Sequence, residues 1–143
     1  MFEFEQIAVD PLAVEEGVWA TYLGGSSFKL RRPGAAYRQR LVELYRESGG
    51  TGDNKDDTSV EAGLKALDIY RRAAAEHLLV DWKGVSENGV EVPYSQERAY
   101  AILSNPRYMD FHDFVENFVN NRENYRAKTD KEVADTVKDS AVS

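Results

Sequence analysis

The chain has 143 residues, no cysteine, and a net charge of −7 from 25 acidic and 18 basic side chains. That length suits one domain with a single core, and the missing cysteines exclude disulfides and thiolate metal sites. The acidic balance disfavours nucleic-acid binding by the chain as a whole, because a phosphate backbone rewards clustered cations.

The N-terminus alternates. Phe2, Phe4, Ile7 and Val9 stand among mostly polar residues, which predicts a strand. Met1 to Asp10 carry three acids and no base, the reverse of a signal peptide's basic opening. Asp10-Pro11 is expected to break the strand. Val14 to Leu23 is rich in Val, Trp, Thr and Tyr, types that fit a pleated surface. Gly24 to Ser27 reads as a turn into a second strand, Phe28 to Arg32, with Phe28 and Leu30 inward. A phosphate loop would need Lys-Ser/Thr and a helix after the glycines; here Phe28-Lys29-Leu30 follows.

Pro33-Gly34 ends this small sheet. Tyr37, Leu41, Leu44 and Tyr45 mark one face of a helix that stops near Ser48, before Gly49-Gly50. Lys29 to Arg46 holds six cations (Lys29, Arg31, Arg32, Arg38, Arg40, Arg46) against Glu43 alone. Residues 47 to 61 then hold five acids against Lys55. Such asymmetry steers a partner or simply solvates two faces. Gly49 to Asp57 reads as a loop. The run 53–57 lacks an EF-hand's spacing, since Lys55 and Thr58 fall where an oxygen ligand and a glycine are required.

Thr58 and Glu61 form a capping box for a helix of roughly 20 residues, about 30 Å long. Val60, Leu64, Leu67, Ala74 and Leu78 mark its expected buried side, with Ile69 and Tyr70 at the edge. Val80 to Val85 and Val90 to Tyr94 read as short strands joined through Asn88-Gly89, a pair that tolerates positive φ. Ser95 caps a helix whose apolar stripe is Ala99, Ile102 and Leu103. Asn105-Pro106 starts another, with Phe111, Phe114, Val115 and Phe118 on its apolar face. No apolar run approaches the ~18 residues of a membrane span. The fold class expected is α+β: a mainly helical domain over residues 1–125, with a small N-terminal antiparallel hairpin or sheet and a short second hairpin. A weakly structured tail, 126–143, follows.

Chemistry is sparse. His77 and His112 are the only histidines and lie on separate predicted helices, which is no metal-ligand pattern. His77 fits a helix C-terminus, where the dipole favours it. No catalytic residues, metal or cofactor are expected. Trp82 and Tyr94 pack near the second turn, as core or as anchors for a partner. Phe111, Phe114 and Phe118 carry the same alternatives, core or a groove for a partner helix.

Several stretches, taken in order, resemble the tail assembly chaperones of long-tailed bacteriophages. They are Phe28-Lys29-Leu30 with Arg32 to Arg38, His77 to Val85 with its Asp81-Trp82-Lys83-Gly84-Val85 ending, Val92-Pro93-Tyr94-Ser95 with Glu97, Ala99 and Leu103, and Asn124-Tyr125-Arg126-Ala127. The resemblance covers most of residues 28–127. It implies a non-catalytic protein of the infected cell's cytoplasm, absent from the finished virion. Such a protein binds the long helical tape measure protein, keeps it soluble and helps recruit tail tube subunits, in many phages through a frameshifted longer form. The client-facing set is then Trp82, Tyr94, Phe111, Phe114, Phe118, Tyr125 and Arg126, with the last helix and tail turned to the client or tube protein. No nucleic acid or membrane is expected as partner, and a homo-oligomer is compatible. The alternatives are a terminator or connector retained in the virion, and a small nucleic-acid-associated regulator using the Lys29–Arg46 cations.

Overall fold

The computed structural model describes residues 1–49 and 59–127. The elements run α1 (Pro11–Glu16), β1 (Val18–Thr21), β2 (Ser27–Leu30), α2 (Ala35–Glu47), α3 (Val60–His77), β3 (Leu79–Lys83), β4 (Ser86–Glu87), β5 (Val90–Glu91), α4 (Gln96–Ser104) and α5 (Met109–Asn120). Short 3-10 turns occupy Phe4–Ile7, Leu23–Gly25, Pro106–Tyr108 and Arg122–Tyr125. The architecture is the mainly helical α+β class expected, with antiparallel sheets of three and two strands.

The N-terminal strand does not form. Phe4–Ile7 is a 3-10 turn, closed where Glu3 N–H donates to Gln6 Oε1 at 3.2 Å and Gln6 N–H donates to the Glu3 carbonyl at 3.0 Å. A strand needs a ladder partner, and this segment finds one only at Val9, which bridges Arg126. The next strand starts late. Asp10-Pro11, read as a break, is a helix start: Asp10 accepts from Leu12 N–H at 3.0 Å and Pro11 takes the first helical position, opening α1. Gly17 then turns the chain into β1 at φ 93°, where a Cβ would sit 3.0 Å from the Leu30 carbonyl oxygen.

β2 is central in the sheet order β1-β2-β3. Phe28 lies opposite both Ala20 and Trp82, so these three side chains share the inner face. A register shift between Lys29 and Leu30 sets Leu30 opposite Leu79, and both are fully buried. The partner of β3 corrects the reading of the second hairpin. β3 pairs with β2, while the hairpin is the smaller β4–β5 pair, turned by Asn88 (φ 52°) and Gly89 (φ 78°) as a two-residue loop requires.

The helices mostly start and stop where their caps dictate. α2 ends at Ser48, whose hydroxyl donates to the Tyr45 carbonyl at 2.7 Å. α3 is capped by Ser59, which accepts from Ala62 N–H at 3.1 Å. Thr58, expected as that cap, and the loop 50–57 lie outside the described residues. Ser95 and Asn105 cap as expected, accepting from the N–H groups of Arg98 and Arg107. α5 and the C-terminal ends of α3 and α4 lie against the sheet, and the core joins Phe28, Leu30, Leu79, Ala99, Leu103 and Val115. Arg126 and Ala127 are still tied to the domain, since Ala127 N–H donates to the Ala8 carbonyl at 2.8 Å. The remainder of the expected tail, 128–143, lies outside the described residues.

Candidate partner-binding groove

The seven candidate residues divide into groups, and most are occupied in holding the fold. Trp82 and Tyr94 meet edge to face at 5.1 Å between centroids. Trp82 Nε1–H donates to the Val92 carbonyl and Tyr94 Oη–H to the Leu79 carbonyl, each at 2.8 Å. The pair therefore clamps the β5–α4 connection onto β3. Burial, and then the charge of Asp81, raise the Tyr94 hydroxyl above its usual pKa.

Phe111 packs on Phe28 at 4.7 Å, inside the core. Tyr125 is fully buried, and its hydroxyl donates to the Leu30 carbonyl at 2.9 Å. Burial pushes that hydroxyl well above the usual tyrosine range. Trp82, Phe111 and Tyr125 thus take the packing alternative, because their apolar area and polar atoms are already spent inside the domain. Phe114 and Phe118 are half-buried, Phe114 tilted on Tyr22 at 4.4 Å and Phe118 edge to face with Tyr125 at 6.0 Å. Arg126 Nε donates to Glu123 Oε2 at 2.8 Å.

The open apolar surface lies elsewhere, along α2 and α3. α3 carries one apolar stripe down its length, at Val60, Leu64, Leu67, Ala74 and Leu78. Only its C-terminal end reaches the core. Leu78 is 5% exposed, but Leu67 is 48%, Leu64 61% and Val60 81% exposed. The expectation that the whole stripe is buried is corrected by this gradient: no described element covers the first turns of α3. Val42 and Tyr45 of α2 and Tyr70 of α3 are also exposed.

Two recesses flank the contact between α2 and α3, sharing Leu41 and Tyr70. One, of about 490 Å³, is lined by Val42, Tyr45 and Ile69. The other, of about 500 Å³, opens between α2, α3 and α5, with Tyr37, Leu67, Ala74, Val115 and Val119 among its walls. Its α2 and α3 sides bring Arg38 and Arg71, and its α5 side brings Asp113 and Glu116. Burial, then Tyr70 and Glu116, raise the Tyr37 hydroxyl pKa, so this phenol is a neutral donor near pH 7. His112 Nε2 lies 3.2 Å from the Ile102 carbonyl oxygen.

Arg40 fixes α2 on α3. Its Nε donates to Glu76 Oε2 at 2.6 Å and its Nη2 to Glu76 Oε1 at 3.3 Å, a two-point grip. Glu43 and Glu47 lie 3.3 and 3.6 Å from Nη1. This acidic setting, the Glu76 bonds first, raises the guanidinium pKa further. One member of the Lys29–Arg46 cation cluster is therefore structural. Among the described residues, no group of three or more His, Asp or Glu side chains could hold a metal ion. No helix among them is long and apolar enough to cross a membrane.

The fold and this surface define a small α+β domain that presents an apolar helix groove with a charged rim. The chain belongs to the YdaY prophage protein family, whose model matches residues 34–137. It is thus phage-derived, and the matched span takes in α2, α3 and α5, the three walls of the groove. No curated protein and no solved structure matches the chain.

The groove was not singled out in the sequence. Helical periodicity marks an apolar face without saying whether the chain itself covers it. One signal was present, in the charges Arg38, Arg71, Asp113 and Glu116 that border the apolar positions.

Proposed function

We propose that this protein is a phage tail assembly chaperone. It binds the tape measure protein, keeps it soluble and helps recruit tail tube subunits, without catalysis. It acts in the host cytoplasm and leaves before the virion is complete. One observation carries the reading: an apolar helical stripe, Val60, Leu64 and Leu67, stands exposed and runs through Leu67 into the recess between α2, α3 and α5. Contiguous exposed apolar surface marks an interaction site, and a helix-lined groove suits the apolar face of a helical client. Membership of a prophage family fits a role in phage assembly. The net charge of −7 keeps a loaded complex dispersed.

The client face is the α2–α3–α5 groove rather than the Phe111, Phe114 and Phe118 stripe, which is turned toward Tyr22, Phe28 and Tyr125. The test is affinity capture of the tagged protein after prophage induction, with mass spectrometry of the eluate and of purified particles. Recovery of the tape measure protein, with the bait missing from particles, is expected. Bait found in particles at stoichiometric level would make it a structural tail component instead.

A further inference from the structure

We infer that the groove selects the direction of the helix it takes, through a rim that is cationic on α2 and α3 and anionic on α5. This rests on the client-binding reading of that face and adds the chemistry of the occupant. The deepest lining is apolar, the buried Leu78, Leu103, Val115 and Val119, with the more exposed Leu67 and Tyr70 of α3 nearer solvent. Arg38 and Arg71 border it on one side, Asp113 and Glu116 on the other. None of these four groups makes an ion pair within 4.0 Å among the described residues. The nearby pairs are satisfied on other faces: Arg40 holds Glu76, and Asp68 accepts from the Tyr100 hydroxyl. Arg72 stacks over the Tyr100 ring at 4.0 Å.

An occupant that matches this rim is an amphipathic helix whose apolar seam is flanked by acidic residues on one edge and basic residues on the other. Its acidic edge faces Arg38 and Arg71, and its basic edge faces Asp113 and Glu116. Reversing such a helix end for end, with its seam still in the groove, exchanges the two edges and sets like charges together. Charges flanking a coiled-coil seam choose orientation by the same logic. Like-charge juxtaposition rejects the wrong arrangement as strongly as attraction holds the right one.

The test uses the full chain and two labelled designed peptides of equal composition. Both carry leucines at helical spacing; one has Glu along one edge and Lys along the other, and the second has Glu and Lys alternating along both edges. Fluorescence anisotropy at low salt should show the edge-segregated peptide binding roughly tenfold tighter, the combined effect of several exposed pairs of modest individual worth. The difference should shrink at about 1 M salt, where charges are screened within roughly 3 Å. A photo-reactive group at the N-terminus of the edge-segregated peptide should cross-link to one end of the groove in the native chain and to the opposite end in a variant with Arg38→Glu, Arg71→Glu, Asp113→Lys and Glu116→Lys, with folding checked by circular dichroism. A milder Arg38→Gln, Glu116→Gln variant should lose the preference while still binding both. Equal binding of the two peptides, a cross-linking direction that survives reversal of the rim, or no binding by a folded protein would each overturn the inference. Capture of the tape measure protein from induced cells is a separate readout, so failure with peptides is distinguishable from failure of the chaperone reading.

Discussion

The sheet side and the groove side of this molecule are built from the same residue types and end in opposite states. On the sheet side, Phe28, Trp82, Phe111 and Tyr125 are buried, and the polar atoms of Trp82 and Tyr125 are bonded to backbone carbonyls. On the groove side, Leu67 and Tyr70 are about half exposed, and Val60 and Leu64 continue the stripe into solvent outside the recess. Both α3 and α5 carry an apolar stripe. α5 finds a sheet beneath it, whereas α3 outruns the core after its C-terminal turns. A domain this small has a limited inner surface, so a long amphipathic helix leaves part of its stripe for something else.

Substitutions on the two sides should separate sharply. Tyr125→Ala removes a fully buried ring and its bond to Leu30, and should cost about 3–5 kcal/mol in urea unfolding. Trp82→Phe leaves the Val92 carbonyl without its indole donor, at about 1–3 kcal/mol. Tyr125→Phe keeps the ring and should cost about 1 kcal/mol at neutral pH. It should also flatten the alkaline limb. The buried Tyr125 hydroxyl has a folded pKa raised above its unfolded value of about 10. The unfolded state therefore loses that proton first, and stability, fully present below about pH 10, falls as pH rises toward the folded pKa. Unfolding free energies measured across that range should decline less steeply in Tyr125→Phe than in the native chain.

Weaker effects are expected toward the groove. Arg40→Ala breaks the grip on Glu76, but both side chains keep partial solvent contact, so the loss should be about 1 kcal/mol or less and should shrink with salt. Leu64→Ser with Leu67→Ser should change stability by no more than about 0.5 kcal/mol, because neither side chain is buried. A large loss in that pair would mean that the stripe is covered within the free chain, and the contrast between the two sides would collapse.

Much of the fold was legible. Ser95 and Asn105-Pro106 announced their helices because capping is local chemistry. The Phe28 and Leu30 alternation gave the inner face of β2 because side chains alternate across a strand. The misreadings share a cause, the need for a partner distant in sequence. Phe2 to Val9 alternates, yet little pairs with it. Val80 to Val85 was placed in the second hairpin, but the strand there, β3, has β2 as its neighbour, about fifty residues earlier. Asp10-Pro11 carried a helix cap as much as a break. The candidate site was less legible still. Trp82, Phe111 and Tyr125 were candidates on residue type and resemblance, and type does not distinguish an anchor from a core side chain. Leu64 and Leu67 were assigned to the core on spacing, and spacing does not show where the core stops.

The central claim is that the exposed α3 stripe holds the helical client. Its most direct test is co-expression of the tape measure protein with the native chain and with the Leu64→Ser, Leu67→Ser variant. The soluble, co-purifying tape measure protein is measured in each case, and the native and variant chains are shown to unfold at the same urea concentration. The account predicts a soluble complex with the native chain, and loss of most of it with the variant. Equal recovery with both would contradict the claim and return the client face to another surface of the molecule.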